Sequence, residues 1–263
     1  MRLTKPCATI VLWTAATGVG HAQTEDDLAK QLANPISSLI SVPFQSNFDF
    51  DVGDDDGFRY TLNAQPVVPF AITDRWNLIS RTILPTIYQA GVLPGMGDQF
   101  GLGDTVQSLF FSPRQTGPNG VIWGVGPVLF LPTATDDLLG AGKWGAGPTG
   151  VVLKQQGPWT YGLLANYINS VGGDDDRPDV ESTFLQPFLS RTNGPITYSV
   201  NFEGSYDHAG DQWTLPLHFT VSKVMRVGTQ LLSFGGGLRI FADGPANAPH
   251  WGIRANVTLL YPR

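Results

Sequence analysis

The chain is short of charge. Asp, Glu, Lys and Arg make up 14% of its 263 residues, against roughly 25% in an ordinary soluble domain. No uninterrupted apolar run reaches the ~18 residues of a membrane helix, which excludes a bundle of transmembrane helices. A net charge of −6 argues against a nucleic-acid partner. The apolar share is an ordinary 42%, so wholesale disorder is excluded as well.

Cysteine is nearly absent too. The single Cys7 lies in a segment with the marks of an export leader. Arg2 and Lys5 make a basic start, Cys7 to Val19 is an apolar run of leader length, and Gly20-His21-Ala22 offers a small-x-small cleavage site before Gln23. Residues 1–22 therefore read as a signal peptide. Cys7 does not follow the cleavage site, as a lipoprotein cysteine would. Residues 23–263 then carry no cysteine, which excludes disulfides, thiol catalysis and cysteine-metal sites. Loss of Arg2 and Lys5 makes the exported chain more acidic still.

Residues 23–35 form a separate short segment. Thr24 to Asn34 is the one credible helix. Thr24 can cap it, Asp27 approximates a capping box, Leu28 and Leu32 share a face, and Pro35 stops it. From 36 to 263 the period is two. Trp251, Ile253, Ala255, Val257, Leu259 and Tyr261 alternate with Gly252, Arg254, Asn256 and Thr258, the pattern of a strand with one apolar face. Trp213 to Ser222, Ile196 to Glu203, Ile40 to Phe50 and Arg59 to Phe70 repeat it. Val121 to Leu131 is apolar on both faces, and Trp76 to Tyr88 nearly so. About twelve strands are expected, near 36–50, 58–70, 76–89, 103–112, 121–132, 144–155, 159–171, 180–191, 196–207, 213–224, 230–242 and 250–261.

Such strands exceed the usual 5–6 residues and match the 9–11 of a tilted strand that crosses a bilayer. In lipid every backbone group must be paired, so strands can span only as a closed barrel. The fold class expected is therefore an all-β, closed antiparallel transmembrane barrel with a short N-terminal helix. The links support it. Alternate links carry Asp51 and Asp54-Asp55-Asp56, Asp98, Asp136-Asp137, Asp174-Asp175-Asp176, Asp211 and Asp243. The intervening short turns sit beside Arg75, Arg114, Lys154, Arg191, Lys223 and Arg226. A soluble sandwich has no reason to sort charge this way. Trp76, Trp144, Trp159, Trp213 and Trp251 stand at strand starts, where membrane girdles place aromatics.

Inward parity selects the lumen candidates: Arg59, Gln65, Asn166, Glu203, His218, Arg239 and Arg254. Arg81 joins them, because an arginine facing lipid at the midplane costs about 2–4 kcal/mol. These could line a solute path or form a network that fills the barrel. No catalytic constellation is evident. His218 and Ser222 share the inner face but stand roughly 13 Å apart at 3.3 Å per residue, and His208 and Asp207 fall in a solvated loop. The aspartate triplets lack calcium-loop spacing, and Gly101-x-Gly103 and Gly235-Gly236-Gly237 precede no helix, so they read as strand kinks.

Several segments carry a resemblance: Ala29 to Pro35, Trp76 to Thr82, Leu131 to Asp136, Lys143 to Pro148, Gly157 to Gly162 and Thr183 to Phe188. Together they resemble a family of Gram-negative outer-membrane proteins named for the MetA pathway of phenol degradation, whose members are labelled transporters and sometimes "neuromedin U". The resemblance implies an outer-membrane barrel and little about its substrate. The reading that follows is a monomeric barrel amid lipid and lipopolysaccharide that passes, or helps pass, a small solute without energy input, with no enzyme activity, cofactor or metal. The family's name points to hydrophobic or aromatic compounds. The alternatives are a barrel with hydrolase activity at its rim and a structural envelope barrel without transport. The chain ends Tyr261-Pro262-Arg263, two residues past the terminal aromatic of most such barrels.

Overall fold

The computed structural model describes residues 24–53, 56–93 and 95–262. The leader and the Asp54-Asp55 pair of the first acidic link lie outside the described residues.

Helix α1 (Glu25–Leu32) begins on the expected capping box. The Thr24 side chain accepts from the Asp27 N–H, and the Asp27 carboxylate accepts from Thr24. Glu25, Asp26 and Asp27 fill the first turn and Lys30 the last, in accord with the helix dipole. The strands follow as β1 (Ile40–Val52), β2 (Gly57–Ala64), β3 (Val67–Ala71), β4 (Trp76–Ala90), β5 (Gln99–Leu102), β6 (Thr105–Pro113), β7 (Val121–Leu131), β8 (Lys143–Gln156), β9 (Trp159–Gly173), β10 (Glu181–Asn193), β11 (Ile196–Phe202), β12 (Gly204–Asp207), β13 (Gln212–Thr214), β14 (Pro216–Val227), β15 (Gln230–Phe241) and β16 (Trp251–Tyr261).

Four consecutive couples, β2 with β3, β5 with β6, β11 with β12 and β13 with β14, are each one broken stave. The barrel thus has 12 staves. Two breaks fall where proline removes a ladder donor. Pro66 separates β2 from β3, and Pro216 stands opposite Glu203, between β11 and β12. Every pairing is antiparallel, and β1 closes the ring on β16 from Ile40 against Tyr261 to Phe50 against Trp251. Thirteen residues of β1 climb roughly 30 Å at the ~40° tilt of such barrels, about the thickness of a bilayer core.

The outer wall is apolar and uncovered. Phe44, Val152, Leu163, Val200, Phe219, Leu238 and Ile253 all point outward and are exposed. At one end Trp144 and Trp251 project, and at the other Trp76 and Trp159. The Arg191 guanidinium lies 5.6 Å from the Trp159 ring centroid, an arrangement suited to an interface. The aspartate-rich links share the first end, and Arg75, Arg114 and Arg226 the second.

The first strand begins later than expected. Residues 36–39 do not join the wall but turn into the barrel, held by the Asn34 side chain accepting from the Ile36 N–H at 3.0 Å. Two apolar clusters follow. Leu28 and Ala29 of α1 pack with Leu39, Val224, Leu231 and Leu260, seating the helix in the mouth at the short-turn end. Above it Ile36 packs with Ile79, Phe110, Val151, Leu153 and Leu164.

Candidate functional site: the barrel lumen

The register places all eight candidate residues on the inner wall. Arg59, Gln65 and Arg81 face in from β2, the β2–β3 break and β4; Asn166 from β9; Glu203 from the β11–β12 break; His218, Arg239 and Arg254 from β14, β15 and β16. Seven of them gather on one half of the wall. Asn166 stands on the other.

The charged half is built on one cross-strand row. Arg59 pairs with Asp49, Asp49 with Gly252, Gly252 with Arg239 and Arg239 with His218. Gly252 has no side chain, so Arg239 reaches across β16 to donate through Nη1 to both Asp49 oxygens at 2.7 and 2.8 Å. A Cβ at position 252 would collide with Asp49 Oδ1 and stand 2.6 Å from the Phe48 carbonyl oxygen. One row lower, Arg254 grips Glu203 with two parallel bonds of 2.9 and 3.0 Å and donates from Nε to Asn47 Oδ1 at 2.8 Å. Such bidentate pairs are the strong ion pairs. Glu203 also accepts from Gln186 and Asn201, each at 3.3 Å. His218, 0% exposed, brings Nε2 to 3.2 Å from Glu203 Oε2, near enough for an ion pair but poorly aligned for a hydrogen bond. Asp49 is the member that alternation had not singled out, although its parity matches that of Asn47.

The other half differs from expectation. Outside the two segments that read as apolar on both faces, alternation predicts a polar inner face, yet β6 to β10 turn Val106, Phe110, Val128, Phe130, Val151, Leu164, Ile168 and Phe184 inward. The sequence signal was present in Val121 to Leu131. Its second apolar face packs the lumen instead of being redundant. Between the rims, no described residue of this half presents a charge inward.

Two cavities open on the charged half, and only the deeper one reaches the apolar half. One of about 320 Å³ opens at the long-loop end, lined by Asp49, Arg59, Arg239 and Arg254 and roofed by Pro245, Asn247 and Ala248 of the β15–β16 link. One of about 410 Å³ lies deeper, with Gln65, Arg81 and Glu203 on one side and Val106, Phe130, Leu164 and Phe184 on the other. They share Asn63 and Glu203 as wall residues. Below the deeper one, the Ile36 cluster separates it from cavities at the short-turn mouth lined by Gln31, Ser38, Asn77 and Arg114.

The remaining residues considered lie elsewhere. His208 is at the rim, as expected, but not merely solvated. Its Nε2 meets Thr183 Oγ1 at 2.9 Å, and its ring stands edge-on to Tyr167 and Tyr206. His218 lies deep in the wall, away from either rim. At the glycine run the neighbouring strand comes too close for a side chain, since a Cβ at Gly237 would strike the Phe219 carbonyl. No group of three or more metal-ligating side chains is found among the described residues.

No protein-family model matches this sequence, and none of the curated protein sequences does. Solved structures do match. An outer membrane channel from Pseudomonas putida F1 is similar over 85% of this chain and 94% of its own, at 15% identity and a TM-score of 0.63. The outer membrane phospholipase of Salmonella typhi, a calcium-bound dimer, is similar over 92% of this chain and 99% of its own, at 11% identity and a TM-score of 0.52. Its counterpart from Escherichia coli is similar at 10% identity and 0.50, over 90% and 98%. At these identities the likeness shows a shared fold, the closed outer-membrane barrel.

Proposed function

We propose that the protein is a monomeric, exported channel of the Gram-negative outer membrane that passes small solutes without energy input, and that it belongs to the phenol-degradation family its segments resemble. The observation that carries this reading is the pair of cavities that share Asn63 and Glu203 and run from the long-loop mouth to mid-lumen. A barrel needed only as an envelope strut gains nothing from unfilled volume there, since each methyl-sized void costs on the order of 1 kcal/mol. The fold shared with the Pseudomonas channel agrees with it.

The passage narrows at Ile36. In this reading, residues 33–39 form the constriction and α1 is its anchor. Leu28 and Ala29 hold the helix by burial, at about 1.5–3 kcal/mol for a fully buried leucine. Purified protein in planar bilayers is expected to give discrete conductance, and deletion of residues 24–38 is expected to raise it severalfold. Silence of both proteins at every voltage overturns the channel reading.

A further inference from the structure

We infer that the mid-lumen cavity is a binding subsite for small amphipathic monoanions, a carboxylate on an aromatic or aliphatic body, with Arg81 as the residue that reads the charge. The inference deepens the channel reading and rests on it.

Charge is the first argument. Four inward guanidiniums, Arg59, Arg81, Arg239 and Arg254, face two inward carboxylates, Asp49 and Glu203. The pairings use up both carboxylates: Arg239 takes Asp49 and Arg254 takes Glu203. Arg59 donates to the Gln89 side chain at 3.1 Å and Arg81 to that of Gln65 at 3.2 Å. Neither forms an ion pair with a described residue. Of these two, Arg81 lines the 410 Å³ cavity and Arg59 the 320 Å³ cavity nearer the mouth.

The second argument is position. Arg81 sits on the seam between the two halves. Its cross-strand partners are Val67 and Ser108, and its own strand places Ile79 and Ile83 on the same face. Across the cavity stand Phe130, Leu164, Ile168 and Phe184. A guanidinium in such surroundings gains most from a planar anion that meets its fork with two bonds. The rest of the volume suits an apolar body. A sugar would leave its hydroxyls against the apolar wall, and a pure hydrocarbon would leave the guanidinium with one amide acceptor. A single free cation beside one apolar wall selects one negative charge. Arg59, nearer the mouth, attracts the same anions inward.

The test is calorimetry on the full protein in phosphatidylcholine nanodiscs, with empty discs as the blank and 2-naphthoate, 2-naphthamide and acetate as probes. Naphthoate should bind at least about tenfold more tightly than either other probe, the worth of a charge-assisted pair over a neutral one. Arg81→Gln should abolish that preference while leaving naphthamide binding unchanged. Arg59→Gln should preserve it. Equal binding of naphthoate and naphthamide to the unmodified protein overturns the inference with no variant required. So does a preference that survives Arg81→Gln, or one lost equally in Arg59→Gln. Heat-modifiable migration on gels establishes that each variant is a closed barrel. Naphthoate preference in a protein silent in planar bilayers would sink the channel reading alone. Conductance without the preference would sink this inference alone.

Discussion

The two halves of the lumen wall obey different rules although the same sheet carries them. From β11 round to β4 the inner face is held by ion pairs and amides that link neighbouring strands, although the His218 ring nitrogens and Arg239 Nε find no hydrogen-bond partner. From β6 to β10 it is held by close apolar packing, like the interior of a soluble domain. The outer faces of the two halves do not differ in this way, because both meet lipid. The contrast shows that a barrel interior need not be uniformly wet. One wall of the deeper cavity is apolar and the other carries charge.

The contrast can be broken by mutation, and the largest effect is expected in the charged half. Glu203→Gln removes the carboxylate that grips Arg254 and faces His218, leaving a buried cation uncompensated at about 3–5 kcal/mol. Urea unfolding in detergent, followed by heat-modifiable migration, would read it. A loss below about 1 kcal/mol would show that the network is solvated and not a unit. In the apolar half, Leu164→Ala should cost about 2–4 kcal/mol through lost transfer energy and the cavity left behind. The same assay applies, and the loss should not depend on salt.

Gly252→Ala sharpens the comparison, because it adds a methyl group directly against the Asp49–Arg239 pair of the charged half. It should cost about 1–3 kcal/mol as an overpacking change by pushing Asp49 off Arg239. A stability equal to the parent would mean that Arg239 finds Asp49 by another route. A smaller effect is expected from Thr24→Ala, which removes the cap of α1 at about 1 kcal/mol. Helix undocking should then appear as more frequent opening in planar bilayers with no change in barrel unfolding. The smallest belongs to Asp179→Asn. Its pair with Lys143 at 3.1 Å sits at the rim, and one partner is largely exposed, so a loss of at most about 1 kcal/mol is expected, diminishing in salt.

Much of the wall was legible in the chain because strand geometry is periodic. Alternation alone puts Arg59, Glu203, His218, Arg239 and Arg254 on the face opposite Phe219, Ile253 and Val257, and the register agrees at each. Arg81 needed an energetic argument, since its strand is apolar on both faces, and it too faces inward. What alternation could not reveal is what each inward residue meets. Arg239 and Asp49 are far apart in the chain, and only the register around Gly252 brings them together. Nor could it show that the second apolar face of Val121 to Leu131 has a partner in Leu164, Ile168 and Phe184. The turn of Ile36 into the lumen was hidden for the same reason, since a lone isoleucine after Pro35 reads equally as the start of a strand.

The sequence by itself determined a closed barrel of about twelve staves, its apolar exterior, its charge-sorted ends and the capped helix before it. Each follows from local repeats and from the demand that backbone groups in lipid be paired. Only the tertiary structure decided that the charges cluster on one side, that Ile36 packs into the lumen below them, and that Arg81 forms no ion pair among the described residues. The physical reason is that period two tells which way a side chain points, while shear and closure decide which side chains it then faces.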